Sequence, residues 1–217
     1  MESKIIFHTG IEQKSEAWFN LRLGKFTGSE IWKLMGARGL GKQGNTYIHD
    51  KFSEILTGKV YNIPDNKYFE HGRYYEPIAK KSYEEAANIL FEDIGFIEHP
   101  DFENCGASPD GINFEIKTGI EIKCPETQSM HSKHILIENQ NDLKKLKPDN
   151  YWQIMFLMLI CGFEKWKFIS YHPDFTKKKD LRLFAIDVFY NQTDINILAD
   201  RIGEANFLLN KKLNKVL

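Results

Sequence analysis

The residues with the clearest chemical potential lie close together in the chain. They are Ser108-Pro109-Asp110-Gly111 and, after nine intervening residues, Glu121-Ile122-Lys123. Alternate side chains of a strand share a face, so Glu121 and Lys123 project together while Ile120, Ile122 and Cys124 project the other way. A turn through Lys117–Gly119 would set Asp110, on a paired strand, beside Glu121. Two carboxylates and an ammonium then converge. That set suits a hard cation, because Mg2+ takes one or two carboxylates and fills its other positions with water and substrate oxygens. Such an ion neutralises charge and acidifies water in phosphodiester hydrolysis, and two-metal sites hold ions about 4 Å apart. Lys123 would orient or deprotonate the attacking water, and the Ile122 carbonyl offers a further metal ligand.

Net charge is only −1, but it is unevenly spread. Residues 70–126 carry 13 acidic and five basic side chains, against seven basic and three acidic over 22–59, and ten basic and six acidic over 131–182. An acidic centre between basic flanks fits a protein that holds metal and phosphates together, although ordinary surface charge produces segregation too. With 42% apolar and 13% aromatic residues a packed core is expected. The most apolar run, Ile154–Cys161, is about half of what crosses a bilayer. Met-Glu-Ser-Lys leads into no long apolar stretch, so a cytoplasmic location is expected. Cys105, Cys124 and Cys161 form no C-x-x-C pair, which argues against disulfide, structural zinc and iron–sulfur frameworks.

Periodicity assigns the elements that must position these groups. Ser15–Leu23 reads as a short helix, and Thr27-Gly-Ser-Glu30 as a capping box opening another. Gly36–Asn45 reads as a loop and Thr46–Leu56 as a helix. A helix from about Glu70 to Ala87 would turn Tyr75, Ile78, Ala79, Tyr83 and Ala86 inward. Ile89–Ile97, Asp110–Ile116 and Gly119–Cys124 read as strands, Glu126–Glu138 as a helix, and Tyr151–Cys161 as a buried helix closed by Gly162. Lys165–His172 and Leu183–Tyr190 complete the strands before a C-terminal amphipathic helix. The order predicts an α/β protein with a mixed central β-sheet flanked by α-helices. Residues 1–217 are read as one nuclease domain, helical to about 88, with the catalytic sheet and its flanking helices over about 89–217.

Several other patterns are set aside. Gly36–Lys42 and Gly39-x-Gly41-x-x-Gly44 mimic phosphate- and dinucleotide-binding loops, but both need a preceding strand, and Ile31–Met35 has helical spacing. The loop is read instead as a DNA contact through Arg38 and Lys42, or as mobile. His131 and His134 are read as exposed helix histidines rather than a metal pair, and Lys177–Lys179 as a solvated hairpin tip.

Pro109-Asp110 followed by Glu121-Ile122-Lys123 resembles the PD-(D/E)XK nuclease pattern. Ala17-Trp18-x-x-x-Arg22-x-Gly24-x-x-Thr27-x-Ser29, Gly72-x-x-Tyr75-Glu76, Ser108-Pro-Asp-Gly111, Glu121-Ile-Lys-Cys-Pro125 and Gln153 together resemble the lambda-type (YqaJ-like) phage exonuclease family in the same order. This covers nearly the whole chain apart from its C-terminal 30 residues. The resemblance implies a restriction-endonuclease-like fold and metal-dependent 5′→3′ digestion of one strand of linear duplex DNA. The 3′ overhangs left behind would serve phage-type recombination by strand annealing. It implies Mg2+, with Mn2+ as a substitute and two ions per site, a homotrimeric ring, a single-strand annealing recombinase as partner, and a phage or prophage origin. By position, Asp110 and Glu121 would ligate metal, Lys123 would serve the water, and Glu76 would be a further acidic catalytic residue. Arg22, Ser29, Ser108 and Gln153 would hold a 5′-phosphate. Without the resemblance, Glu84 and Glu85 rival Glu76, Ser29 or Thr27 is a helix cap, Gln153 is a buried amide needing any partner, and Arg22 is a surface residue. A restriction or repair endonuclease, and a nuclease-like module that only binds DNA, fit the same catalytic residues.

Overall fold

The computed structural model describes residues 4–60 and 67–217, and of residues 67–69 the main chain alone. Strand β1 (Ile6–His8) leads to helix α1 (Glu16–Arg22), whose N-terminus is capped by Ser15 Oγ accepting from the Trp18 N–H. After β2 (Phe26–Thr27) the segment Gly28–Leu34 winds as a 3-10 helix, and no capping box forms. Thr27 Oγ1 accepts from Arg22 instead, and Glu30 pairs with Lys33. Helix α2 (Gly41–Thr57) starts inside the expected glycine-rich loop. Gly44 is there for packing: a Cβ at that position would lie 2.9 Å from the Leu40 side chain and 3.2 Å from the Lys33 carbonyl.

Helix α3 (Lys67–Ala87) lies over the central sheet and buries Ala79 and Tyr83, with Tyr75 half-buried. Ile78 is 40% exposed and Ala86 is exposed, contrary to the expected inner stripe. The sheet beneath is met by one row at i, i+4 spacing, 75-79-83, and 78 and 86 fall outside it. The expected strand Ile89–Ile97 is broken: Glu92 makes one bridge to Ile112, and only β3 (Phe96–Glu98) is extended, pairing with β1. β4 (Cys105–Gly106) pairs with β2.

The central sheet runs β5 (Gly111–Asn113), β6 (Thr118–Lys123), β7 (Lys165–Tyr171), β8 (Leu183–Phe189) in that spatial order. β5–β6 and β7–β8 are antiparallel and β6–β7 parallel, so the sheet is mixed, as the α/β expectation has it. The β5–β6 turn comes earlier than expected, with Lys117 at φ 47°. β6 crosses to β7 through α4 (Gln128–Ile135), α5 (Gln140–Leu146) and α6 (Pro148–Cys161). α5 escapes the periodicity reading, although Asn139 caps it by accepting from the Asn141 and Asp142 N–H groups. α6 begins on Pro148 and ends at Gly162 in a left-handed C-cap, as read. Gly119 admits no side chain, because a Cβ there would sit 2.2 Å from the Trp166 ring. Helix α7 (Gln192–Leu213) closes the fold. α6 packs on the Gly28–Leu34 segment, and one apolar cluster joins Ile31 and Ile48 to Phe156, Phe168 and Leu198. Among the described residues no helix is long and apolar enough to cross a membrane.

The histidines of α4 are a correction. His131 and His134 are buried, 0% and 2% exposed, where the sequence reads as exposed. Their Nδ1 atoms both meet Ser170 Oγ at 2.8 Å, and His131 Nε2 meets the Leu181 carbonyl at 2.8 Å. A carbonyl only accepts, so His131 carries its proton on Nε2 and takes the Ser170 hydroxyl proton on Nδ1. His134 must then donate from Nδ1, which leaves its Nε2 a buried acceptor without a partner. Burial first, and then His131, lowers the His134 pKa to about 4. The three cysteines are free, Cys105 and Cys161 buried and Cys124 partly so. Lys177–Lys179 are exposed between β7 and β8, as read.

Candidate active site

The site is assembled on β6. Asp110 stands one residue before β5, and its Oδ2 accepts from the Ile122 N–H at 2.6 Å, which fixes the carboxylate against the neighbouring strand. The main chain just ahead is pinned from far away in sequence. The Gln13 amide donates to the Ile94 carbonyl at 3.0 Å and to the Pro109 carbonyl at 2.9 Å. Glu121 is 1% exposed. Its Oε1 lies 2.5 Å from Lys123 Nζ, and its Oε2 is buried with no hydrogen-bond partner. Lys123 Nζ also donates to Gln153 Oε1 on α6 at 3.3 Å. From the opposite wall α3 presents Glu76 and, one turn on, Lys80, which pairs with Asp93. Between them opens a cleft of about 570 Å³ whose lining includes Glu76, Lys80, Glu84, Asp93, Asp110 and Ile122.

Electrostatically the site holds too many carboxyls for its cations. Burial, and then the Asp110 charge, pushes Glu76 up to about 7. The same two causes push Glu121 up to about 8 in spite of its ion pair. Burial raises Asp110 also, opposed by Lys123 and by the Ile122 N–H. For Lys123 burial acts downward, but Glu121 and Asp110 outweigh it and keep the ammonium protonated. A buried carboxylate oxygen without a donor is costly unless something positive meets it. Among the described residues no three His, Cys, Asp or Glu side chains form a ready-made cage. Mg2+ needs none, since it keeps several waters and is met by one or two carboxylates. The hard oxygen donors of Asp110 and Glu121, one of them orphaned, therefore fit such an ion.

The residues expected at a phosphate fall into two groups. The Arg22 guanidinium stacks 4.1 Å above the Trp18 ring centroid, and its Nη2 donates to Thr27 Oγ1 at 3.2 Å. Trp18 Nε1 donates to Ser108 Oγ at 2.8 Å and to the Gly95 carbonyl at 3.0 Å, and Ser108 Oγ donates to Gly95 at 2.8 Å. Arg22 and Ser108 thus share Trp18 as their common support. Gln153 lies against Gly28, where a Cβ would be 3.6 Å from its Cγ, and so beside the exposed Ser29. Ser29 is exposed and makes no described hydrogen bond to these groups.

Behind this face sits a buried network absent from the sequence reading. Glu54 Oε2 accepts from the Gly24 N–H at 3.0 Å, Lys51 Nζ holds both Glu54 oxygens at 2.9 and 3.1 Å, and Tyr47 Oη accepts from the Thr27 N–H at 2.9 Å. It anchors both ends of the segment between Arg22 and Ser29. The i, i+3 spacing of Lys51 and Glu54 on α2 was a faint signal for the pair. Gln13 offered none, because its partners lie 81 and 96 residues away.

A sequence model of the YqaJ-like viral recombinase domain matches residues 17–164. Among solved structures, an alkaline exonuclease from Laribacter hongkongensis superposes with a TM-score of 0.77 at 24% identity, over 93% of this chain and 96% of that one. The structure of that exonuclease in complex with dAMP gives a TM-score of 0.78 with the same identity and coverage. A phage-related exonuclease from Haemophilus somnus superposes at 0.71 with 15% identity, over 89% and 96% of the two chains. These likenesses establish a shared fold. No curated protein sequence matches the chain.

Proposed function

This chain belongs to the YqaJ-like viral recombinase domain family, and from that premise we propose that it is a metal-dependent exonuclease. It digests one strand of linear duplex DNA in the 5′→3′ direction and leaves 3′ overhangs for recombination by strand annealing. The observation that carries this reading is the meeting of Asp110, Glu121 and Lys123 around a buried, partnerless carboxylate oxygen. The exonuclease names of the structural neighbours are consistent with it.

Asp110 and Glu121 would hold Mg2+ or Mn2+, with the Ile122 carbonyl as a further donor and room for a second ion near Glu76. When bound, the ion supplies positive charge against the developing phosphorane charge and makes a nearby water more acidic. The Lys123 ammonium orients that water, and Glu121 fixes the ammonium in turn. Gln153, bonded to Lys123, couples α6 to the same spot. Arg22, spread flat on Trp18, offers a fork of donors to the 5′-terminal phosphate, and Ser29, Ser108 and Gln153 add hydroxyl and amide donors. Such a pocket gives the enzyme an end to start from, which an endonuclease has no use for. A ring-shaped homotrimer and an annealing recombinase as partner belong to the same reading, and light scattering of the purified protein tests the trimer.

Three DNA substrates with Mg2+ present or chelated test the activity: linear duplex with 5′-phosphate, the same duplex with 5′-hydroxyl, and covalently closed circles. Metal-dependent loss of the phosphorylated linear strand with circles intact is the expected outcome. Nicked circles would make it an endonuclease, and no metal-dependent cleavage of any substrate would reduce it to a DNA-binding module.

A further inference from the structure

Two neighbouring lysines of α3 line the cleft beside Glu76 and Asp110, and they stand differently. Lys81 is exposed and faces Glu85, one turn on, at 3.9 Å. Lys80 lies one turn beyond Glu76, and its side chain is 15% exposed, so its apolar stem is set into the wall. With Lys14 and Lys123, its ammonium opposes the rise that burial gives Glu76 and Asp110. Lys80 on α3 and Lys123 on β6 thus face the same carboxyls from two walls. They are held unlike each other. Lys123 is tied to the buried Glu121 and to Gln153. The described partner of Lys80 is Asp93, whose side chain is 93% exposed.

An ion pair with so wet a partner is weak, because water screens it and the carboxylate loses little by leaving. Only the Asp93 side chain would have to move. The main chain on either side of it is fixed, by the Glu92 bridge to Ile112 and by the Gln13 bond to the Ile94 carbonyl. The rest of this wall suits a phosphodiester poorly. Glu84 and Glu92 add carboxyls to the cleft, and Glu84 Oε1 is already engaged in accepting from the Phe91 N–H at 2.8 Å. Among the described lining residues, Lys80 is the cation set into the wall to meet an anionic oxygen.

We propose that Lys80 is a second substrate-contacting cation of the same reaction, its ammonium exchanging Asp93 for a non-bridging oxygen of the phosphate at the Asp110–Glu121 position. This rests on the exonuclease reading for the identity of that phosphate. Lys123 serves the water, and Lys80 meets the charge on the phosphoryl oxygens, a task that suits a compact point charge. Asp93 is a reversible cover, neutralising Lys80 in the free protein and giving way to an anion that other contacts hold in place.

The two ends of the Lys80–Asp93 pair must then respond with opposite sign, whereas a purely structural pair loses from either side. Binding of a 5′-phosphorylated duplex is followed by fluorescence anisotropy in Mg2+ over a range of salt, with the full chain bearing Lys123→Ala. Lys80→Gln should weaken binding about tenfold, one charge-assisted hydrogen bond, and flatten the log–log salt slope by about 0.9, one phosphate contact. Lys80→Arg, which keeps the charge, should keep the slope. Asp93→Asn should tighten binding about threefold, the release from one exposed ion pair, and that gain should vanish when Lys80→Gln is added. Loss of affinity in both Lys80→Gln and Asp93→Asn, or an Asp93→Asn gain that persists without Lys80, overturns the proposal. Single-turnover cleavage with Lys123 restored separates the two readings, and Lys80→Gln should lower it about 10²-fold. Metal-dependent cleavage that Lys80→Gln leaves within threefold of the parent sinks the Lys80 contact alone. Opposite binding shifts in a protein that cuts no DNA sink the exonuclease alone.

Discussion

Two regions of this molecule bury charge, and they do it differently. On α2, Lys51 and Glu54 are 4% and 3% exposed and answer one another atom for atom, with the Gly24 N–H taking the remaining acceptor capacity. Where β6, the start of β5 and α3 meet, Glu76, Asp110 and Glu121 gather about the ammonium of Lys123, and one glutamate oxygen is left with no partner. The first arrangement is complete within the protein. The second is incomplete, and Glu76 and Glu121 rise toward and past neutrality because burial and mutual repulsion exceed what the nearby lysines return. Balance marks a structural ion pair, and imbalance marks the place where we propose a cation.

Each half of that contrast can be broken separately. Lys123→Ala should lower cleavage by about 10⁴-fold, some 5.5 kcal/mol of activation free energy, while metal and DNA binding persist. A single-turnover assay beside a binding titration checks this, and cleavage within tenfold of the parent would remove Lys123 from the chemistry. Glu54→Ala should instead cost about 3–5 kcal/mol of folding stability, because it strands Lys51 in the interior. Denaturant unfolding measures it, and a loss under 1 kcal/mol would mean the pair is not what holds α2 to the Gly24 turn.

His134 lies between these cases, since burial favours its neutral form while its Nε2 is left without a partner. Its pKa is depressed from 6.5 to about 4. The stability it contributes is therefore present above pH 6.5 and lost as pH falls toward 4, by up to about 3 kcal/mol. H134Q should flatten that slope in unfolding measured between pH 7 and 4.5. A further effect concerns Glu121, raised from 4.5 to about 8. Its sign is opposite: the neutral form is the stable one, and metal-free protein loses stability as pH rises through 8. E121Q should gain at least about 1 kcal/mol over the parent between pH 5 and 8 without metal. Adding Mg2+ should erase that advantage in thermal unfolding, and an advantage that persists in Mg2+ would argue against a cation at this carboxylate.

Much of this was legible beforehand, for reasons that can be named. β7, β8, α6 and its Gly162 cap follow from local hydrophobic period and cap chemistry, and the structure has them nearly where they are expected. The nearness of Asp110 to Glu121 and Lys123 follows from strand alternation and a short hairpin, although the turn lies earlier than the expected Lys117–Gly119. What escaped depends on distance along the chain. Two-residue strands such as β2 and β4 have no period to detect. The Gln13 bonds and the burial of His131 and His134 beneath Ser170 and Leu181 exist only once remote segments have docked. The start of α2 at Gly41 was hidden partly by Gly44, which serves close packing rather than a loop.

The bond from Trp18 to Ser108 has one more consequence. Ser108 precedes Asp110 by two residues, so the platform beneath Arg22 and the carboxylate at the proposed metal position are tied by a single short linkage, and Gln13 ties them again at Pro109. On the proposed exonuclease reading, both fastenings would hold a captured chain end at a set span from the bond to be broken. The molecule would then work as a gauge, each bite having a length set by geometry rather than by how long the DNA stays.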